Sequence, residues 1–378
     1  MRYVLAVVTA AITASTTAAQ TTQRQPALAD RGGITDSAFA SLVGRLSEES
    51  GYFDTDNLIS NESSYLHVMG ALRRLGVKAG AYIGVGPDQN FSYIAQVRPR
   101  IAFIVDIRRD NMLQQLLFKS LFEMSRNRIE YLCLLFGREA PANTRDWEAR
   151  SIKQIAEYID ATPFRPDVAE RARVEALARA RKLGIPLSPA DTMTISRFHS
   201  EFAANGLGIR FTSKSRQPRP YYPTYRQLIL ETDLTLRQAS YLASEEAFRF
   251  VQSLERRNLI VPVVGDLSGE HALAAVGREI ARRGERVSAF YTSNVEFYLM
   301  RAGSFARFAQ TAAALPRDDR SVIIRSYFGG AYGTPHAQTV PGYYSTQLLQ
   351  TLGSFASESA RGGYETYLDL VNKHAIDP

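Results

Sequence analysis

Seven positions in this sequence have types and spacings suited to holding a small ligand at the end of a sheet: Gly84, Gly86, Asp88, Asp106, Asp266, Asn294 and Glu296. Gly84 and Gly86 let the backbone turn tightly and pass close to a ligand. Asp88 follows as a capping residue for the next helix. Asp106 lies 20 residues beyond Gly86, where nucleotide-binding βαβ units place an acid that accepts hydrogen bonds from both ribose hydroxyls. Asp266 ends the apolar run NLIVPVVGD, and Asn294 and Glu296 follow a further run, RVSAFY. Glu296 is the candidate base, with Asn294 beside it to help position a reacting group.

The elements that must carry these residues are legible as apolar runs. Ala81–Val85 reads as a strand, Phe91, Ile94 and Val97 mark one face of a helix, and Ile101–Val105 is a buried strand ending at Asp106. Asn258–Asp266, Arg286–Tyr291 and Ser321–Tyr327 supply three more strands, the last leading into the glycine-rich loop Phe328–Gln338. Asp266 has a second reading, as the cap of a helix from about Ser268 to Arg283. Ahead of the first strand, Ser60 or Asn61 is suited to cap a helix presenting Leu66, Met69, Leu72 and Leu75. In that segment Asp54, Asp56, Asn57, Asn61 and Glu62 are either pocket-mouth residues or ordinary turn chemistry.

A dinucleotide fingerprint wants a third glycine where Gln89 stands, so a diphosphate is disfavoured and a ligand needing one tight turn and a ribose clamp fits better. With Gly84, Gly86 and Asp106 so placed, the segment resembles the first two motifs of class I S-adenosylmethionine-dependent methyltransferases. NLIVPVVGD is similar to the third motif and TSNVEFY, loosely, to the fourth, although the proline that often follows the acid or amide of the fourth motif is missing. Tyr82 and Asp88 stand where the family usually has an acid and another glycine. The longer runs YLASEEAFRFVQSLERRNLIVPVVGD and FYTSNVEFYL also resemble an uncharacterised group of bacterial methyltransferase-like proteins. The resemblance implies a Rossmann-like α/β fold with a mostly parallel sheet and S-adenosylmethionine as cofactor. It assigns Gly84, Gly86, Asp88 and Asp106 to the cofactor, Asp266 to the adenine edge, and methyl transfer to an unidentified acceptor near Asn294 and Glu296.

The N-terminus MRYVLAVVTAAITASTTAAQ, with an early arginine, a short apolar run and small residues, reads as a signal peptide over 1–19, followed by a flexible linker over 20–33. The α/β domain is expected over 34–378, with a helical insertion at about 140–257. The segment from Met112 to Leu135 reads as a helix and a strand, Ser188 starts a helix through Ala204, Gly208–Ser213 reads as a short strand, and Leu236–Arg257 as an amphipathic helix. Export conflicts with a cofactor made in the cytoplasm. A noncatalytic secreted binding protein on a degenerate methyltransferase fold is therefore the alternative function.

Composition, 45% hydrophobic and 22% charged over 378 residues, suits a sizeable core. A formal net charge of +7 is too modest to argue for nucleic acid, and no apolar run is long enough for stable membrane insertion. A small-molecule ligand is the expected partner. The basic, tyrosine-rich stretch Phe211–Gln227 reads as a solvated loop or as a contact for an anionic or aromatic ligand. Cys133 is the only cysteine, set among apolar neighbours and so an inert thiol. None of the five histidines has metal-ligand spacing, so no metal is expected.

Overall fold

The computed structural model describes residues 32–214, 219–329 and 333–378, and the expected signal peptide and most of the linker lie outside them. Gly33–Pro378 forms one compact unit. At its centre is a six-stranded sheet in the order β3-β2-β1-β4-β5-β6. The strands are β1 Ala81–Gly84, β2 Ile101–Asp106, β3 Ile260–Val264, β4 Val287–Ser293, β5 Val322–Tyr327 and β6 Thr346–Thr351. All neighbours pair in parallel except β5 and β6, which are antiparallel. The fold is thus a Rossmann-like α/β fold.

The strand sequences explain the arrangement. IAFIV, the part of β2 before Asp106, and IVPVV are apolar and buried throughout, as strands covered on both faces must be. From β1 the chain steps to β2 and β3 in one direction across the sheet, then returns past β1 to β4 and β5. Right-handed crossovers therefore place the first helices and the later ones on opposite faces, and the strand order reverses between β1 and β4.

Among the described residues the stretch between β2 and β3 holds helices and no strand. Arg109–Met124 packs on β2 and β3 and also contacts Pro166–Lys182, Pro189–Asn205 and Glu245–Arg256. Ser151 and Ser188 close capping boxes with Gln154 and Asp191. Several local expectations are corrected. YLCLLF belongs to a helix, Arg128–Phe136, because Asn127 caps its start and Gly137 ends it in the left-handed conformation at φ 61°. Gly208–Ser213 makes only an isolated bridge, Arg210 to Thr224. The returning helix starts at Glu245, capped by Ser244. Neither Ser60 nor Asn61 caps a helix: Ser60 Oγ accepts from the Glu62 amide in a turn, and the helix that follows is the short Met69–Arg74. Among the described residues no helix is long and apolar enough to cross a membrane.

Candidate functional site

The loops that leave the carboxyl ends of β1, β2, β3 and β4 converge on one cavity of about 230 Å³. Gly86 and Gln89 come from the first loop, Asp106, Ile107 and Arg108 from the second, Gly265, Asp266 and Leu267 from the third, and Ser293, Asn294 and Val295 from the fourth. Asn57, Ser60, Asn61 and Glu62 close one side, and Phe53, Tyr298 and Leu299 add apolar surface. This is the crevice at the strand-order reversal, where open α/β sheets hold ligands. Of the residues singled out from sequence, Gly86, Asp106, Asp266 and Asn294 meet here, together with Asn57, Asn61 and Glu62.

The glycine loop is fixed from behind. Tyr82, standing where the methyltransferase motif has an acid, donates from its hydroxyl to Asn90 Oδ1 at 2.8 Å, and Asn90 Nδ2 donates to the carbonyls of Val85 (2.8 Å) and Pro87 (2.7 Å). Gly84 does not line the cavity. It is required because a Cβ there would collide with Asn90 Oδ1 and the Tyr82 hydroxyl. Gly86 does line it, at φ 84°, with a virtual Cβ 3.3 Å from Asn57 Nδ2. Asn57 and Ser293, also in the wall, hold positive φ values of 54° and 53° without being glycine. Backbone held in such sparsely populated conformations concentrates at functional sites.

Asp106 reaches the cavity already engaged. Arg108 donates from its amide and Nε to Oδ1, both at 3.0 Å, and from Nη2 to Oδ2 at 2.9 Å. The same guanidinium ties down the preceding loop through the carbonyls of Thr55 and Asp56, each at 2.7 Å. Oδ1 is saturated, so this carboxylate can take a further bond only at Oδ2 rather than accepting from both ribose hydroxyls on open oxygens. Asp266 is both wall and turn: its Oδ1 accepts from the Ser268 amide (2.8 Å) and hydroxyl (2.9 Å), while the helix Ala272–Arg282 begins later, without a side-chain cap.

Two expected site residues lie elsewhere. Asp88 neither caps its helix nor faces the cavity. It is buried among tyrosines of the helical layer, accepting from Tyr225 (2.6 Å) and Tyr241 (3.2 Å), and burial outweighs those bonds to push its carboxyl up to about 6. Glu296 is fully buried against Arg325, with bonds of 2.7 and 3.1 Å, and accepts from Thr292 at 3.2 Å. It is absent from the cavity wall. A base needs reach to the proton it abstracts, so Glu296 is a structural ion-pair member.

Sequence reasoning missed Arg108, Tyr291 and Ser293. The Tyr291 hydroxyl donates to Glu62 Oε2 at 2.5 Å, and the Ser293 hydroxyl donates to Glu62 Oε1. Burial pushes the Glu62 carboxyl above its ordinary range, partly offset by these hydroxyls. A usable signal existed for Arg108: an arginine two residues past an acid at a strand end can fold back onto it. Cys133 is buried and raised to about 12, as its neighbours suggest. No cluster of three or more His, Cys, Asp or Glu suited to a metal occurs among the described residues. The stretch Phe211–Gln227, of which 215–218 lie outside the described residues, puts Lys214 3.5 Å from Asp56 and stacks Tyr221 on Tyr344 at 3.7 Å.

The site lies within a recognised family. Residues 57–375 match a domain of unknown function, DUF7790, and the chain belongs to that family. No curated protein matches the chain.

Proposed function

We propose that this protein is exported and binds an adenosyl ligand of the S-adenosylmethionine type in the switch-point cavity. The observation that carries the reading is the convergence of Gly86, Asp106, Asp266 and Asn294, from four successive sheet-end loops, on one cavity. Gly86 allows backbone to approach the sugar, the free position on Asp106 Oδ2 takes one ribose hydroxyl, and Asp266 offers an acceptor to the amino edge of adenine. Val105, Ile107, Leu267 and Leu299 provide apolar surface for the base.

Methyl transfer by in-line displacement requires mainly alignment of the acceptor with the sulfonium, for which Asn294 remains in place. The noncatalytic reading is favoured by one observation: Glu296 and Asp88 are held in buried structural contacts away from the cavity. Calorimetric titration with S-adenosylmethionine and S-adenosylhomocysteine tests the binding reading. Micromolar binding weakened in Asp106→Asn is the expected result, and absence of heat with both ligands overturns it. Transfer of a labelled methyl group to candidate acceptors then separates enzyme from binding protein.

A further inference from the structure

One end of the cavity carries an acid with no cationic partner. Glu62 is 1% exposed, and no lysine, arginine or histidine among the described residues lies within ion-pairing reach of it. The Tyr291 and Ser293 hydroxyls each donate to a different carboxylate oxygen, and the Ser326 hydroxyl and Gln347 amide also lie close enough to stabilise its charge. Ser293 reaches it from a left-handed backbone conformation at φ 53°, where β4 breaks register with β5.

A second acceptor stands beside it. Gln89 is 6% exposed and lines the same cavity, and its Oε1 has no partner. Its orientation is set by a chain of bonds. Tyr291 commits its single proton to Glu62, so its oxygen can only accept from Gln89, and Gln89 Nε2 donates to it at 3.2 Å. Oε1 is thereby left as the free acceptor. A buried carboxylate with no cationic partner and a buried amide oxygen with no donor call for a ligand group that brings positive charge together with N–H bonds. The donor set is too poor in carboxylate, thiolate and imidazole for a metal. A protonated amine, with three donors and one positive charge, matches it.

We infer that the Glu62–Gln89 end of the cavity is a subsite for a protonated primary amine, so that the protein selects cationic over neutral ligands. The inference rests on the reading of this cavity as the ligand site, and adds the charge its ligand must carry. It is tested by calorimetry on the full-length mature protein with 5′-amino-5′-deoxyadenosine and 5′-deoxyadenosine, which differ only by the amine. A parallel pair without a nucleoside is 2-phenylethylamine and 2-phenylethanol. The amino nucleoside is expected to bind about 10- to 100-fold more tightly than its neutral counterpart, the strength of a charged hydrogen-bonded contact. Glu62→Gln should abolish that preference and Gln89→Leu should reduce it, with melting curves confirming that both variants fold.

Equal binding of the two nucleosides overturns the amine subsite and leaves the adenosyl reading standing. A preference that survives in Glu62→Gln overturns the assignment to Glu62. If neither nucleoside binds but 2-phenylethylamine binds in a Glu62-dependent way, the subsite is supported and the adenosyl reading falls. If none of the four compounds binds, both fall.

Discussion

Replacing Glu296 by glutamine separates a structural role from a catalytic one. Arg325 and Glu296 are 2% and 1% exposed at their side chains, and the guanidinium places Nε and Nη2 on the two carboxylate oxygens at 2.7 and 3.1 Å. Its Nη1 donates to Gln350 Oε1 at 2.8 Å, and Gln350 in turn donates to the Tyr364 hydroxyl at 2.7 Å. Glu296→Gln keeps the shape of this network and removes its only negative charge, leaving a guanidinium uncompensated between β5 and the helix Val295–Arg301. Breaking one partner of a buried pair costs about 3–5 kcal/mol, a large share of the ~5–15 kcal/mol that holds a domain together. For a domain of this size that corresponds to a melting temperature lower by roughly 4–7 °C. Urea unfolding followed by circular dichroism, together with a thermal melt, measures the loss. The double variant Glu296→Leu/Arg325→Met should recover most of it, because an apolar pair of similar volume avoids burying any charge. A Glu296→Gln protein as stable as the wild type, yet unable to bind its ligand, would refute the reasoning and return Glu296 to the site.

Three further outcomes are expected. Asp88, raised to about 6 from 3.8, binds its proton more tightly folded than unfolded, so its contribution is present at acid pH and is lost as pH rises between about 4 and 6. Asp88→Asn should therefore gain on the wild type across that window, by about 2–3 kcal/mol, as measured by urea midpoints from pH 4 to pH 7. Gly84→Ala should destabilise the fold through the Asn90 and Tyr82 clash, whereas Gly86→Ala, strained at φ 84° by about 1–2 kcal/mol, should also weaken ligand affinity; paired melts and titrations tell them apart. Arg108→Met strips Asp106 of its partner and unties Thr55 and Asp56, so residues 53–58 should lose hydrogen-exchange protection, with stability lower by about 2–4 kcal/mol.

The sheet was legible wherever a strand is buried on both faces, because continuous apolar runs such as IAFIVD and NLIVPVV leave few other readings. β6 was not, since TQLLQT has neither a continuous run nor strict alternation. Its glutamines are buried only because Gln347 meets Ser326 and Tyr93 while Gln350 meets Arg325 and Tyr364, partners set by the fold. The helix Arg128–Phe136 read as a strand because, buried almost all round, it shows no 3.6-residue period. At the site, spacing along the chain located Gly86, Asp106, Asp266 and Asn294 at sheet ends. It could not reveal that Glu296 turns toward Arg325 or that Asp88 falls among Tyr225 and Tyr241, since those partners are 29, 137 and 153 residues away. The Asp/Asn-rich stretch before β1 divides in the same manner: Asn57, Asn61 and Glu62 line the cavity, while Asp56 pairs with Arg197.

The most direct test of the central claim is a crystal structure of the protein with S-adenosylhomocysteine at saturating concentration. The adenosyl group is expected between Gly86, Asp106 and Asp266, with one ribose hydroxyl on Asp106 Oδ2. An empty cavity, or the ligand bound elsewhere on the molecule, would contradict it.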